Sequence, residues 1–186
     1  MEFIGHLWLP IVVATVIAFV ASSLLWMAGP HHKKEWKPAP DQNGLRDVLR
    51  KAGAQPGAYM FPFGDRSNKE AFAESMKQWA EGPAGILYIY PKGPMAMGGL
   101  MVKQAIFFLV VNVFLAYLGT HAGLDHTSYL HVFRVVGTGA FMAYFLGAVP
   151  ESIWFGRPWK SLWLTGVDAL IYALLTAGTF GWLWPR

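Results

Sequence analysis

The sequence predicts an all-α integral membrane protein: four transmembrane helices in an antiparallel bundle, with a small α/β or interfacial cytoplasmic insert between helices 1 and 2. Three observations carry that expectation. Of 186 residues, 54% are hydrophobic and only 14% charged, more apolar mass than a soluble domain of this length buries. Four apolar runs approach the roughly 20 residues that a helix rising about 1.5 Å per residue needs to cross a hydrocarbon core of about 30 Å. Basic residues concentrate in alternate loops, the pattern left by membrane orientation. The absence of cysteine excludes a disulfide framework, a thiolate metal site and a cysteine nucleophile.

The first span runs from Ile4 to Ala28 and stops at Gly29-Pro30, since proline cannot continue the helical ladder. Its apolar stretch is too long for a signal peptide and no basic residue precedes it, so it reads as an uncleaved anchor. The second span runs from Leu100 to Gly119, the third from Leu130 to Val149 with Pro150 as its stop, and the fourth from Ser161 to Trp184 with Pro185 beyond. The chain thus divides into a first helix (1–29), an insert (30–99) and three further helices (100–186). Residues 30–99 hold ten of the fifteen basic residues, and Arg157 and Lys160 lie between the third and fourth spans, whereas the connection from Thr120 to Tyr129 has none. This asymmetry predicts a multi-pass protein of the bacterial inner membrane with both termini periplasmic or extracellular.

Within the insert, Leu45, Val48 and Leu49 mark one face of a short helix from Leu45 to Ala52. Ser67-Asn-Lys-Glu70 has the form of a capping box, opening a helix from Asn68 to Glu81 that Gly82-Pro83 ends. The flanking runs Tyr59–Phe63 and Ile86–Tyr90 are aromatic and β-prone, and predict either a two-stranded pairing or aromatic side chains at headgroup depth. Pro62 counts against the strand.

Small residues repeat every four positions along the fourth helix at Thr165, Ala169, Ala173, Ala177 and Gly181, and the third helix answers with Gly139, Ala143 and Gly147. Stripes of this kind let membrane helices approach closely, so they predict a packing seam.

Arg134 and Asp168 are the ionisable residues deepest in the spans, Lys103 stands at the start of the second, and Asn112 adds a polar group at mid-span. Intramembrane charge is costly enough to need a partner or a watery route, which makes these four candidates for a transport path. Lys103 is the expected partner of Asp168, and Asp125 can serve Arg134. His121, Asp125, His126 and His131 lie close in sequence around one outer hairpin and are the candidate ligands for a metal or haem. Met95, Met97 and Met101 supply soft donors of the kind that suit Cu(I), or simply fill gaps at a membrane entry. His31-His32 beside Lys33-Lys34 reads as a contact for anionic lipid.

No phosphate loop, metalloprotease helix, nucleophile elbow or catalytic carboxylate pair occurs, which disfavours ordinary hydrolases and nucleotide enzymes. Seven acids interleave with the basic residues of 30–99, so the net charge of +4 makes no nucleic-acid stripe. The strings Leu7-Trp-Leu-Pro-Ile11, Phe133-Arg-Val-Val-Gly137, Ser152-Ile-Trp-Phe-Gly-Arg-Pro-Trp159 and Ala173-Leu-Leu-Thr-Ala-Gly-Thr-Phe-Gly-Trp182 resemble those of a small family of bacterial inner-membrane proteins. That resemblance covers most of the chain and implies a fold and a location, but no reaction, cofactor or site residue. The functional expectation is a non-catalytic accessory or scaffold protein in the lipid bilayer, contacting a larger membrane complex or itself. The alternatives are a small transporter or channel, and a metal- or haem-binding membrane protein using the outer histidines.

Overall fold

The structure is a computed structural model, described at residues 2–124 and 128–185. It is mostly helical, with α1 (Glu2–Ala28), α2 (Gln42–Lys51), α3 (Lys69–Glu81), α4 (Met97–His121), α5 (Tyr129–Phe145), α6 (Val149–Trp154) and α7 (Trp159–Leu183), and two strands, β1 (Gly57–Phe61) and β2 (Gly85–Ile89). Four helical stretches are long and apolar enough to cross a membrane: Ile4–Ala28, Met97–His121, Tyr129–Trp154 and Trp159–Leu183. Three contain their expected runs, and the fourth matches its run except that it ends at Leu183, one residue before Trp184. Glycine and proline end α1 as expected, because Ala28 is its last residue and Pro30 leads into a 3-10 turn, His31–Lys34. Pro150 behaves differently. The third span leaves α-helical geometry at Phe145, passes through a 3-10 turn at Leu146–Ala148 and resumes as α6, where Pro150 occupies the first turn, whose N–H groups need no intrahelical acceptor.

The chain forms two compact units. The helical unit comprises Met1–Trp36, Ala96–Ser152 and Arg157–Arg186, so residues 30–36, which the sequence placed in the insert, belong with the long helices. Within it α5 packs along α7, α1 lies against both α4 and α7, and α4 touches α5. Leu7 and Ile11 of α1, Val111 and Leu115 of α4, Val132, Val136 and Ala140 of α5, and Ala173 and Phe180 of α7 share one buried cluster. The small residues of α7 lie in this packing, with Ala169, Ala173, Ala177 and Gly181 all buried. On α5 the buried stripe is Val132, Val136 and Ala140. Gly139 turns toward α4, where an added Cβ would come 2.9 Å from Leu115, while Ala143 and Gly147 are exposed. Gly137 is the α5 glycine that meets α7, since a Cβ there would stand 3.1 Å from that of Ala177.

The second unit is Lys37–Met95 with Ile153–Gly156. Strands β1 and β2 pair antiparallel in the register Gly57↔Ile89, Tyr59↔Leu87 and Phe61↔Gly85, and α3 lies between them in sequence. Pro62 falls just past the last residue of β1, so the ladder needs no N–H from it. The cap of α3 is one residue later than the capping box proposed. Asn68 accepts from the amides of Glu70 and Ala71, while the Ser67 hydroxyl donates to Asp65. Asp41 caps α2 through the Gly44 amide.

Because Ala173 is 3% exposed and sits in the shared cluster, Ala173→Leu must displace neighbouring side chains and should destabilise the protein in detergent by about 1 to 3 kcal/mol. Thermal unfolding of the two proteins checks this, and equal melting temperatures would remove the seam.

Candidate metal centre

The deepest charge in the helical unit is organised by the turn that follows α1. Gly29 closes the helix with its amide on the Leu25 carbonyl, and a Cβ at this position would lie 2.9 Å from His31 Cε1 and collide with that carbonyl. The lack of a side chain at Gly29 therefore lets the His31 ring fold back against the helix end. Pro30 then starts the 3-10 turn that presents His31 and His32 together to α7.

Both imidazoles meet Asp168, which is 3% exposed. His31 Nε2 lies 2.9 Å from Oδ1 and His32 Nε2 lies 2.8 Å from Oδ2, so each carboxylate oxygen has its own ring nitrogen. The second nitrogen of His32, Nδ1, stands 2.6 Å from Oε2 of Glu35, whose side chain is also buried. Trp26 stacks on the His32 ring with centroids 4.0 Å apart and planes 11° from parallel. Arg157 extends the network outward: its guanidinium donates to Thr165 at 2.6 Å, pairs with Glu151 at 3.3 Å and reaches to 4.0 Å from Glu35.

This geometry requires a cation. A neutral imidazole carries one N–H, yet both nitrogens of His32 face carboxylate oxygens at hydrogen-bond distance. Whichever tautomer forms, one nitrogen lone pair would point at an oxygen lone pair unless a second proton lies between them. Burial by itself lowers the His32 pKa, but the hydrogen bonds and charges of Glu35 and Asp168 outweigh it and raise the pKa above 6.5.

The same atoms can ligate a metal. The ligand atoms of His31, His32 and Asp168 lie within 4.8 Å of one another. Two imidazole nitrogens and a carboxylate oxygen suit zinc and its neighbours, with a fourth position left for water or another ligand. Glu35 on His32 Nδ1 supplies the carboxylate–histidine–metal arrangement that fixes the ring's orientation and tautomer.

Two sequence expectations are corrected here. Lys103 is exposed on α4, and Asp168 is instead satisfied by His31 and His32. Those histidines, read as a lipid contact, instead turn inward onto the buried carboxylate of Asp168. Asn112 is buried, and its amide donates to Thr15 at 3.2 Å and to the Phe108 carbonyl at 3.0 Å. Arg134 is exposed. Of the outer group, His121 donates to the Tyr117 carbonyl of its own helix at 2.9 Å and His131 is exposed, while Asp125 and His126 lie outside the described residues. Met95, Met97 and Met101 are exposed. The missed signal was His32 and Glu35, spaced i, i+3 immediately after the stop of an apolar helix, together with a lone acid inside another span.

No protein family, curated protein or solved structure matches the chain.

The pH dependence of stability follows from His32. Its folded pKa is raised, so its contribution is fully present below about 6.5, the unfolded value, and is lost as pH rises through the folded pKa. In metal-free buffer the melting temperature should therefore fall as pH increases above 6.5, and His32→Gln should flatten that slope. Differential scanning fluorimetry across pH 5.5 to 9 in detergent tests it; a wild-type slope unchanged by the substitution would contradict the assignment.

Proposed function

We propose that this chain is a multi-pass protein of the bacterial inner membrane whose four long helices form an antiparallel bundle, and that it binds a divalent transition-metal ion of the zinc class at His31, His32 and Asp168. The observation that carries the reading is the His32 ring held between two buried carboxylates, since that arrangement demands positive charge at the place where the ligand atoms converge. The metal role expected of the outer histidines thus moves to the opposite end of α1. An accessory role beside a larger complex is compatible with the centre, which gives the chain a chemistry of its own.

Geometry favours zinc, cobalt or nickel over the alternatives. Magnesium and calcium prefer all-oxygen ligand sets, and Cu(I) prefers sulfur. Proton and metal compete for His32, so the affinity should rise with pH as the imidazolium is titrated.

The test is metal content after equilibration with zinc and removal of excess, measured by mass spectrometry on purified protein at pH 7.5. One zinc per chain is expected. Asp168→Asn and His31→Ala should lose it, and Glu35→Gln should weaken binding about 10- to 100-fold at unchanged stoichiometry. Joint replacement of His121 and His131 by Ala should leave it intact. Wild-type protein that holds no zinc above background would refute the reading, as would stoichiometric zinc in Asp168→Asn.

A further inference from the structure

The centre has a buried polar continuation into the helical unit. On α7, Asp168, Tyr172 and Thr176 recur every four residues, on one face over about 12 Å. Tyr144 of α5 meets Tyr172 edge-on, with ring centroids 5.9 Å apart, and turns its hydroxyl toward Thr176. Phe108 of α4 lies 5.6 Å from both tyrosine rings, and Asn112 follows one turn later with its amide on the Phe108 carbonyl.

Along this line buried polar atoms are poorly satisfied: Asn112 Oδ1 has no hydrogen-bond partner, and the hydroxyls of Tyr144 and Tyr172 are directed at Thr176 Oγ1 and Trp26 without hydrogen bonds of good geometry, as Ser152 Oγ, off the line, also makes none. The contrast with other hydroxyls of the long helices is informative. Thr15, Ser22, Ser23, Thr120, Thr165 and Thr179 each donate to a carbonyl of their own helix three or four residues back. Thr176 makes no such bond, although its helical position offers one. Unpaired polar atoms are costly in an apolar interior, and a cluster of several is the environment that holds buried water. The rings of Tyr172 and Tyr144 pack with Ala18 and Phe108 in an apolar cluster beside this line, and beyond Thr176 and Asn112 Leu115, Val136 and Phe180 belong to the larger shared cluster.

We propose that Tyr172, Tyr144, Thr176 and Asn112 line a water-filled file that opens at the His31–His32–Asp168 centre and ends part-way through the helices, giving water a route from the centre into the protein. The hydroxyls can accept and donate in turn, and the Asn112 carbonyl oxygen terminates the line as an acceptor. The apolar cluster closes the far end, so the file is an access path and not a continuous pore. The inference rests on the metal reading in one respect only, that an ion at the centre would stopper the mouth.

The cysteine-free chain allows a direct test. Thr176→Cys is compared with Ala177→Cys, its fully buried neighbour in the α5 seam, and with Leu115→Cys in the apolar cluster. Each variant is taken as the monodisperse full-length protein that elutes with wild type, in detergent, and treated with a small water-soluble methanethiosulfonate, with and without zinc. The thiol at 176 should react at least tenfold faster than those at 177 and 115, and zinc should slow it at least tenfold. Equal rates at the three positions would overturn the file. A fast reaction at 176 that is indifferent to zinc, in protein shown to bind zinc, would overturn its opening at the centre while leaving the metal reading in place. A fast reaction at 176 in protein that binds no zinc would sustain the file and sink the metal reading instead.

Discussion

A carboxylate buried on an apolar helix is the constraint around which the helical unit is arranged. Asp168 lies among Ala169, Tyr172 and the other buried residues of α7, where an unmatched negative charge is costly even after relaxation. It has to be neutralised, paired or given a metal. Two histidines meet it, one on each oxygen, and histidine is the side chain that can serve as proton carrier, hydrogen-bond donor or metal ligand. That versatility makes the pairing different from a simple salt bridge. A lysine at the same place would hold a fixed charge and offer no soft lone pair to an ion.

Local chain geometry makes the pairing possible. A helix that simply ran out at Ala28 would throw its following residues away from α7. Gly29, lacking a side chain, and Pro30, starting a 3-10 turn, instead bend residues 31–35 back across the end of the helices. Glu35 then locks His32 from behind, and the indole of Trp26 covers its face. An imidazolium over an indole gains from the ring's quadrupole, and a carboxylate behind it gains from charge. Arg157, held by Glu151 and Thr165, sets the outer boundary of the network. Local turn, aromatic cover and second carboxylate all serve one atom, His32 Nε2.

The four long apolar helices were legible in the sequence because run length and hydropathy decide them with no tertiary information. The paired strands of the insert were one of two readings left open by the aromatic β-prone runs, and the displaced cap at Asn68 shows how little separates a Ser from an Asn one residue on. The α7 packing face was visible as small residues at four-residue spacing. The matching stripe on α5 was not, since Val132, Val136 and Ala140 look like any lipid-facing apolar residues until the partner helix is in view. The centre was half legible: Asp168 announced that it needed a partner, but charge alone pointed to Lys103. The partner came from residues about 137 positions away, joined by a turn whose direction no periodicity records. Charge that is conditional on protonation does not show in a count of charged residues.

The central claim is that His31, His32 and Asp168 converge on one cation. X-ray absorption at the metal K-edge of the zinc- or cobalt-loaded protein tests it most directly, because it reads the ligand set without any assumption about activity. The account predicts a first shell with two imidazole nitrogens at about 2.0 to 2.1 Å and carboxylate or water oxygen at about 2.0 to 2.2 Å, and no retained metal in His31→Ala loaded in the same way. A shell of oxygen alone, or imidazole scattering unchanged by loss of His31, would place the ion elsewhere and contradict it.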